Sequence, residues 1–361
     1  MENQGIGGAS SNLNTEIQNE LAIKLNLDRI VFLCGNGCSI ANGTKSTADF
    51  SPSLLSNIGE NLLVTAELKS LCTSKQSVAI ENFLNRLLTF ADFYHEIGNY
   101  TAEKNTLVLF EQYKTLFLNS YVNTLDYSNL ESHQKLLRKI RNLGFIEKTS
   151  IYSLNYDLAF EYTANEMGLE FVDGFKGFIT RKFDPAMLSN VHSFKIIKLH
   201  GSLTWRKADA LSYKEIQPFF GPDGKISMPD NEEAIIYPTN QKYEYSLNAP
   251  YNELFRSLTN ELLANRCLVL VLGYSFGDDH INNLILKSMS NPGNVYFFFS
   301  YEQNVTFIQK MKQIKSEMKN LNIYEGHDVA SFANVAENIF PSMAAETDLE
   351  TLGKVLRKVI K

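Results

Sequence analysis

The sequence predicts an α/β fold built on a doubly wound parallel sheet, with a large helical insertion after the first strand. Short apolar runs of strand length recur along the chain, and four of them stop abruptly at glycine or small polar residues. Helical patterns lie between these runs, as expected where crossover helices join parallel strands. The run from Cys267 to Leu272 is apolar without interruption, which is typical of a strand covered on both faces.

The composition of the 361-residue chain is that of a globular protein, with 44% hydrophobic and 20% charged residues. The formal net charge of -6 argues against broad electrostatic attraction to polyanions, so we expect no direct nucleic acid binding and no membrane association. No apolar run approaches membrane-spanning length. The four cysteines form no CxxC pair, so we expect no metal site, and a reducing cytoplasmic compartment fits best.

The chain is expected to divide into a leader, one main domain and a short extension. Residues 1–20 are predicted to be a disordered leader, because the N-terminal stretch lacks the basic region and the apolar core of a signal peptide. Residues 21–340 are predicted to form the main domain. Residues 341–361 are predicted to be a C-terminal helical extension.

The first predicted strand follows Asp28 and ends in Gly35-x-Gly37-x-Ser39. In a doubly wound sheet, glycines at such a break let the backbone approach a dinucleotide pyrophosphate, with free N–H groups directed at the phosphates. An ordinary tight turn explains the same residues, and the third glycine of the dehydrogenase fingerprint is missing. The interpretation therefore depends on partner residues later in the chain.

A helical insertion is predicted over residues 52–144. Apolar residues recur there at helical spacing, from Ile80 to Tyr94 and again from Leu136 to Leu143, ahead of a capping Gly144. In chain order the remaining predicted elements are a strand over 149–154, a helix over 158–167, a strand over 194–199, an irregular loop or flap over 205–231, a short strand over 234–238, a helix over 251–264, the strand at 267–272, a helix over 281–289, a strand over 295–300 and a helix that carries the lysines of 310–319.

Four predicted strands end in residues suited to a binding site: the glycine loop at 35–39, Asn155 and Asp157, His200, and Gly273 with Ser275. Because the carboxyl ends of parallel strands face one crevice, these groups are expected to converge. Each has a plainer interpretation. Asn155 and Asp157 are good helix-capping residues, His200 is explained equally well as a satisfied core histidine, and Gly273 is explained as a turn.

These residues carry a resemblance. Gly35-x-Gly37-x-Ser39, Asn155-x-Asp157, His200-Gly201 and Gly273-x-Ser275 match, in order, the signatures of the sirtuin fold family, which is Rossmann-like. More specifically, Leu154-Asn-Tyr-Asp157, Lys198-Leu-His-Gly-Ser202 and the stretch from Gly273 to Asn282 resemble the bacterial sirtuin-like NAD hydrolases of antiphage defence. The resemblance covers the strands from about 29 to 300.

The resemblance implies an NAD glycohydrolase that releases nicotinamide and ADP-ribose, with NAD as substrate and no metal. It implies that Asn155 and His200 are catalytic, with His200 taking a proton from a ribose hydroxyl or from water. It also implies that NAD is bound by Gly35, Gly37, Ser39, Asp157, Gly273 and Ser275. An NAD-depleting antiphage effector is expected to be held inactive at rest. Control through a homo-oligomer or a separate partner protein, such as a HerA-type ATPase, fits that expectation.

Two alternatives remain open at this point. One is an NAD-dependent protein deacylase of the same fold, although the zinc-binding cysteine pairs of those enzymes are absent and Leu154 stands where they have glutamine. The other is a non-catalytic subunit that binds NAD or ADP-ribose. A hydride-transferring dehydrogenase ranks lower, because no second strand ends in an acidic residue about twenty positions beyond Gly35.

Overall fold

The computed structural model describes residues 6–40, 43–44, 80–124, 126–190, 192–209, 212–227, 249–264 and 266–342. Its helices are α1 (Ile6–Lys24), α2 (Ile80–Glu96), α3 (Tyr100–Thr124), α4 (Glu131–Asn142), α5 (Ala159–Glu166), α6 (Tyr251–Leu263), α7 (Asp279–Met289), α8 (Thr306–Ile314), α9 (His327–Ala330) and α10 (Phe332–Asn334), the last running into a π-helical turn (Val335–Ile339). Its strands are β1 (Arg29–Cys34), β2 (Thr149–Ser153), β3 (Phe175–Lys176), β4 (Arg181–Phe183), β5 (Lys195–Lys198), β6 (Trp205–Lys207), β7 (Tyr213–Glu215), β8 (Phe219–Phe220), β9 (Ile226–Ser227), β10 (Cys267–Leu272), β11 (Val295–Ser300) and β12 (Leu321–Glu325).

The central sheet has six strands in the order β12-β11-β10-β1-β2-β5, and every neighbouring pair is parallel. Counted along the chain and read from β5, this order is 3-2-1-4-5-6, the arrangement of a Rossmann-like doubly wound sheet. The predicted fold class is therefore confirmed. Strand order reverses between β1 and β10, and in such sheets the ligand crevice lies outside the carboxyl ends of those strands.

Apolar side chains cover both faces of the sheet, which explains why β10 is apolar throughout and β1 is apolar after Arg29. All six residues of β10 are buried, and so are the last five of β1. On one face, Val31 and Val269 pack with α6 and α7. On the other, Ile30 and Leu268 pack with α1, α4 and the segment around α10. Each strand is thus fixed between two layers, and its carboxyl end is held in place.

Residues 6–24 form α1, where the sequence predicts a disordered leader over 1–20. Ile17, Leu21 and Leu25 are buried and lie four residues apart, so they share one helix face. That face packs against the sheet and against the chain around Phe340. The expectation of disorder does not hold for residues 6–20. A few widely spaced apolar residues in a polar stretch are enough to stabilise a helix when the rest of the fold provides a core that buries them.

The helices between β1 and β2 fall into two groups. The antiparallel pair α2 and α3 packs on itself, with the rings of Phe83 and Tyr113 centred 5.0 Å apart. Helix α4 instead buries Leu136, Leu137 and Ile140 in the core beside the sheet, so it belongs to the doubly wound layer. Gly144 follows this helix at φ 73°, as the sequence predicts for a capping glycine. Residues 52–79 of the predicted insertion lie outside the described residues.

Two further parts of the chain differ from their predicted structure. Strand β12 was not anticipated, because only Leu321 at its start is fully buried at the sheet edge. The predicted loop or flap over 205–231 contains four short strands up to residue 227, and Trp205 is buried against Phe175 and Tyr251. The short strand predicted over 234–238 and the extension from 343 onward lie outside the described residues. Within the described part, no helix is long and apolar enough to cross a membrane.

Candidate active site

Four loops follow the carboxyl ends of the neighbouring strands β5, β2, β1 and β10. Strand order reverses between the last two of these strands. We name the loops the β1 loop (35–39), the β2 loop (154–158), the β5 loop (199–204) and the β10 loop (273–278). They contain all the residues that the sequence predicts to be functional.

The β1 and β10 loops touch backbone to backbone, and glycine makes this possible. The Gly35 N–H donates to the Leu272 carbonyl at 2.9 Å, and the Gly37 N–H donates to the Gly273 carbonyl at 2.8 Å. A Cβ at Gly35 would lie 2.6 Å from the Gly273 oxygen, and one at Gly37 would lie 2.6 Å from the Gly273 Cα. Gly273 adopts φ +60°, and a Cβ there would lie 2.4 Å from the Cys38 nitrogen. No larger residue fits this junction without displacing backbone.

This junction changes the interpretation of the glycine loop. The free N–H groups predicted at Gly35 and Gly37 are already bonded to carbonyls of the β10 side. The N–H groups of Cys38 and Ser39 are likewise bonded within the β1 loop, to Gly35 and Asn36. The two glycines therefore serve close packing between loops in this structure, and the backbone N–H phosphate cradle expected from the sequence is not present in that form.

Asn155 is anchored beneath the crevice by its own amide. Its Nδ2 donates to the Gly35 carbonyl at 3.0 Å and to the Ser39 Oγ at 2.8 Å, and the side chain is 5% exposed. A carbonyl can only accept, so the Gly35 contact fixes which end of the amide is nitrogen. Both amide hydrogens are thus used by the protein, and the Oδ1 is the atom left to accept a hydrogen bond from a ligand.

Ser39 and Asp157 are buried beside Asn155 and form hydrogen bonds with neighbouring protein groups. Ser39 is fully buried and accepts the hydrogen bond that holds Asn155. Asp157 is 1% exposed, and its Oδ1 accepts from the Ala159 N–H at 3.0 Å. It lies one residue before the Leu158 N-cap of α5, so it is not the first-turn acid of that helix. Its carbonyl accepts from the Lys198 ammonium. Direct contact of Ser39 or Asp157 with NAD stays a prediction.

A buried ionisable cluster lies under the β2 loop, and the sequence interpretation missed it. The Lys198 Nζ is 3.2 Å from Glu161 Oε1, while the other oxygen of Glu161 has no partner among the described residues. Burial raises the pKa of Glu161 to about 7, although the Lys198 charge opposes the shift. Burial lowers the pKa of His133 to about 4, and neither of its ring nitrogens has a partner in the described part of the chain. The Tyr127 hydroxyl accepts from the Leu158 N–H at 3.0 Å.

Cys38 is the one nucleophilic side chain of the β1 loop other than Ser39. It is fully buried, and its Sγ donates to the Leu272 carbonyl at 3.4 Å. Burial raises the pKa of the thiol well above its ordinary value, and the nearby Cys34 and Asp157 add to the shift. The neutral thiol is a poor nucleophile, so covalent chemistry through Cys38 is disfavoured.

His200 lies at the start of the β5 loop and is 8% exposed. The adjacent Leu199 N–H donates to the Ser153 carbonyl at 2.9 Å, which fixes the loop beside β2. The His200 Nε2 lies 3.4 Å from the Asp278 Oδ2. Asp278 also caps α7, accepting from the His280 and Ile281 N–H groups. Asp278 was not singled out from the sequence, because a carboxylate before a helix is explained by capping alone.

The structure brings all four loops together. The β1 loop meets the β10 loop through the glycines and the β2 loop through Asn155. The β5 loop runs beside the β2 loop, with the Leu203 N–H donating to the Tyr156 carbonyl at 3.1 Å, and it reaches the β10 loop through His200. Ser275 is exposed on the β10 loop. The predicted convergence of Asn155, His200 and Gly273 at one edge is therefore observed.

Part of the chain matches a known family model, and solved structures show some similarity to it. Residues 149–324, from β2 to β12, match the family model described as the SIR2-like domain. A structure of Sir2Tm bound to a propionylated peptide is 15% identical, with a TM-score of 0.42 and coverage of 89% of this chain and 98% of that chain. A structure of Sir2 bound to an acetylated peptide is 12% identical, with a TM-score of 0.41 and coverage of 90% and 96%. No curated protein sequence matches the chain. The segment that supplies Asn155, His200 and Gly273 thus lies within the part of the chain that matches the SIR2-like domain model.

Proposed function

We propose that this protein is an NAD glycohydrolase that cleaves NAD to nicotinamide and ADP-ribose. The SIR2-like domain supports NAD-dependent activity in general. The observation that supports this specific activity is that Asn155 and His200 lie on adjacent loops at the carboxyl edge of the sheet. The Asn155 amide is bonded to Gly35 and Ser39, and the backbone beside His200 is bonded to Ser153.

The chemistry requires few groups. Nicotinamide in NAD is a cationic leaving group that departs neutral, so breaking its bond to the ribose C1′ needs no general acid. The transition state has oxocarbenium character, as in other glycoside cleavages. The protein must hold the ribose, admit one water molecule and accept one proton. An acceptor amide oxygen and an imidazole are sufficient for these tasks.

Each residue has a defined task in this proposal. The Asn155 Oδ1 accepts a hydrogen bond from the attacking water or from a ribose hydroxyl and fixes its position, because the opposite end of the amide is anchored on Gly35 and Ser39. His200 accepts the proton that the water loses. Burial of both side chains excludes other water from the reacting centre.

The cysteine pattern favours hydrolysis over protein deacylation. The four cysteines form no CxxC pair, so the chain lacks the zinc module of the deacylating sirtuins. The buried, neutral Cys38 offers no covalent alternative. Water therefore remains the acceptor that the site accommodates most simply.

Nicotinamide release from purified protein tests the proposal. The wild type should convert NAD to nicotinamide and ADP-ribose without any acylated peptide, measured by liquid chromatography. Asn155→Ala and His200→Ala should each lose about 100-fold or more in kcat. The exposed Asn165→Ala and His192→Ala are matched controls and should behave as wild type. Nicotinamide release that requires an acetyl-lysine peptide would indicate a deacylase, and tight NAD binding without product would indicate a binding subunit.

The proposed biological role follows from the motif resemblance. We propose that the enzyme depletes NAD during phage infection, as a homo-oligomer or with a separate partner such as a HerA-type ATPase. Cells that express the wild type should lose NAD after infection, while cells with Asn155→Ala should not. NAD levels that stay equal in the two strains would contradict this role without affecting the test on purified protein.

A further inference from the structure

We propose that Asp278 is a positioning residue for His200: its carboxylate fixes the imidazole and stabilises the imidazolium that forms when His200 accepts a proton. The inference rests on the proposed function and adds a residue, an atom and a protonation state to it. It extends the site from the β5 loop to the last residue of the β10 loop, which caps α7.

The first observation is the enclosed contact between the two side chains. The His200 Nε2 and the Asp278 Oδ2 are 3.4 Å apart, and the side chains are 10% and 11% exposed. Water is largely excluded from the pair, so the attraction between a carboxylate and a positively charged imidazole is screened less than at an open surface. The contact is longer than a charge-assisted hydrogen bond and lies within ion-pair distance.

The second observation is that Asp278 cannot move away without breaking other bonds. Its Oδ1 accepts from the His280 N–H at 3.0 Å and from the Ile281 N–H at 3.3 Å. Its own N–H donates to the Tyr274 hydroxyl at 3.1 Å, and that hydroxyl donates to the Asp278 carbonyl at 3.0 Å. One carboxylate oxygen therefore bonds the start of α7, which fixes the side chain, and the other oxygen, Oδ2, faces His200 in a preorganised position.

This geometry assigns the tautomer of neutral His200. A carboxylate facing Nε2 favours the proton on that nitrogen, and Nδ1 is then the unprotonated acceptor. Within the described ranges, Nδ1 has no protein partner. In the proposed reaction, the water oxygen forms the bond to the ribose C1′ and its proton passes to Nδ1. The C1′–N bond breaks with its electron pair moving to the ring nitrogen of nicotinamide, which leaves neutral, and the proton is later released to solvent.

Two other titratable groups belong to the same environment. His280 lies beside the pair, and its pKa is lowered mainly by burial, with the charge of His200 adding to the shift and that of Asp278 opposing it. Asp279 is the next carboxylate along α7 and is exposed. Asp278 is thus the acidic group that contacts His200, and Asp279 provides a neighbour of the same charge for comparison.

The deciding variant is Asp278→Asn. Asparagine keeps an oxygen that can cap α7, so the thermal midpoint should stay close to that of the wild type, while the negative charge beside His200 is lost. We expect kcat to fall about 10- to 100-fold with little change in KM. The acidic limb of the kcat profile should move to lower pH, because the protonated imidazole loses its stabilising partner. Asp279→Asn should leave kcat and the profile unchanged.

A second measurement separates this inference from the proposed function. In ¹⁵N NMR spectra of the full chain, the His200 ring should show the Nε2-protonated form when neutral, and this preference should weaken in Asp278→Asn. An Nδ1-protonated ring in the wild type, or an Asp278→Asn enzyme with an unchanged pH profile, would overturn the inference. Failure of the wild type to release nicotinamide would overturn the proposed function, while the NMR result would still decide whether Asp278 sets the tautomer.

Discussion

Replacement of Gly273 by alanine tests the loop junction on which the site is built. Two costs are expected at this position. Gly273 adopts φ +60°, and an L-residue in that conformation costs about 1–2 kcal/mol. A Cβ would also lie 2.4 Å from the Cys38 nitrogen and 2.8 Å from the Gly37 Cα, which are backbone atoms that cannot rotate away. Overpacking of this kind typically costs about 1–3 kcal/mol. The sum predicts a loss of about 2–5 kcal/mol in the free energy of unfolding.

Two other glycines separate these contributions. Gly168 has φ +65° with no atom near its missing Cβ, so Gly168→Ala should lose only the conformational part, about 1–2 kcal/mol. Gly35 has φ -102°, and its Cβ would meet the Gly273 oxygen at 2.6 Å. Gly35→Ala should therefore lose only the packing part, about 1–3 kcal/mol.

Urea unfolding of the four proteins, followed by circular dichroism, measures these differences. Nicotinamide release should also fall further in Gly273→Ala than in Gly168→Ala. The reason is that the displaced β10 loop carries Asp278, and the displaced β1 loop holds Asn155. If Gly273→Ala is no less stable than Gly168→Ala, the junction tolerates a side chain and the reasoning is refuted.

Two further predictions concern the buried supports of the site. Ser39→Ala leaves one Nδ2 hydrogen of Asn155 unpaired in a buried position, so it should lower the free energy of unfolding by about 1–3 kcal/mol and reduce kcat. Urea unfolding and nicotinamide release measure these two effects. An unchanged kcat would contradict the anchoring role of Ser39. The folded-state pKa of Glu161 is about 7, above its ordinary 4.5, so this group contributes stability that is lost as pH rises from about 4.5 to about 7. The folded-state pKa of His133 is about 4, below its ordinary 6.5, so this group contributes stability that is lost as pH falls from about 6.5 to about 4. As pH rises from about 4 to about 6.5, the free energy of unfolding of Glu161→Gln should therefore increase relative to that of the wild type, and that of His133→Phe should decrease relative to it. A difference between variant and wild type that does not change with pH would contradict both assignments.

The sheet was predictable because its strands carry their signal locally. The runs that became β1, β10 and β11 are almost entirely apolar, and burial between two helix layers is the physical reason. The runs that became β2 and β5 include polar residues, but apolar residues alternate or adjoin within them. The same logic placed Asn155 and His200 at one edge, since both follow such strands. Helix α1 and the edge strand β12 lack this local signal, because each buries only part of its residues against elements distant in sequence.

The roles of individual residues were less predictable because they depend on contacts across the chain. The Glu161 carboxyl and the His133 ring become a buried cluster only when α4 packs beside α5. The motif from Gly273 to Asn282 already contained Asp278, and capping of α7 accounts for that residue without any reference to His200. The sequence indicates which groups are available. That the Asp278 carboxylate both caps α7 and faces His200 is visible only in the three-dimensional structure.

The glycine loop illustrates the same limit and leads to a test of how NAD is bound. If the N–H groups of Gly35 and Gly37 stay bonded to the β10 side, they cannot also hold a pyrophosphate, and other groups must meet its charge. Gly37→Ala should then lower stability and kcat together, because its Cβ would displace the Gly273 Cα at 2.6 Å, while KM for NAD stays near the wild-type value. A variant that folds with wild-type stability and shows KM raised about tenfold or more would instead mean that the loop opens to bind phosphate through those N–H groups.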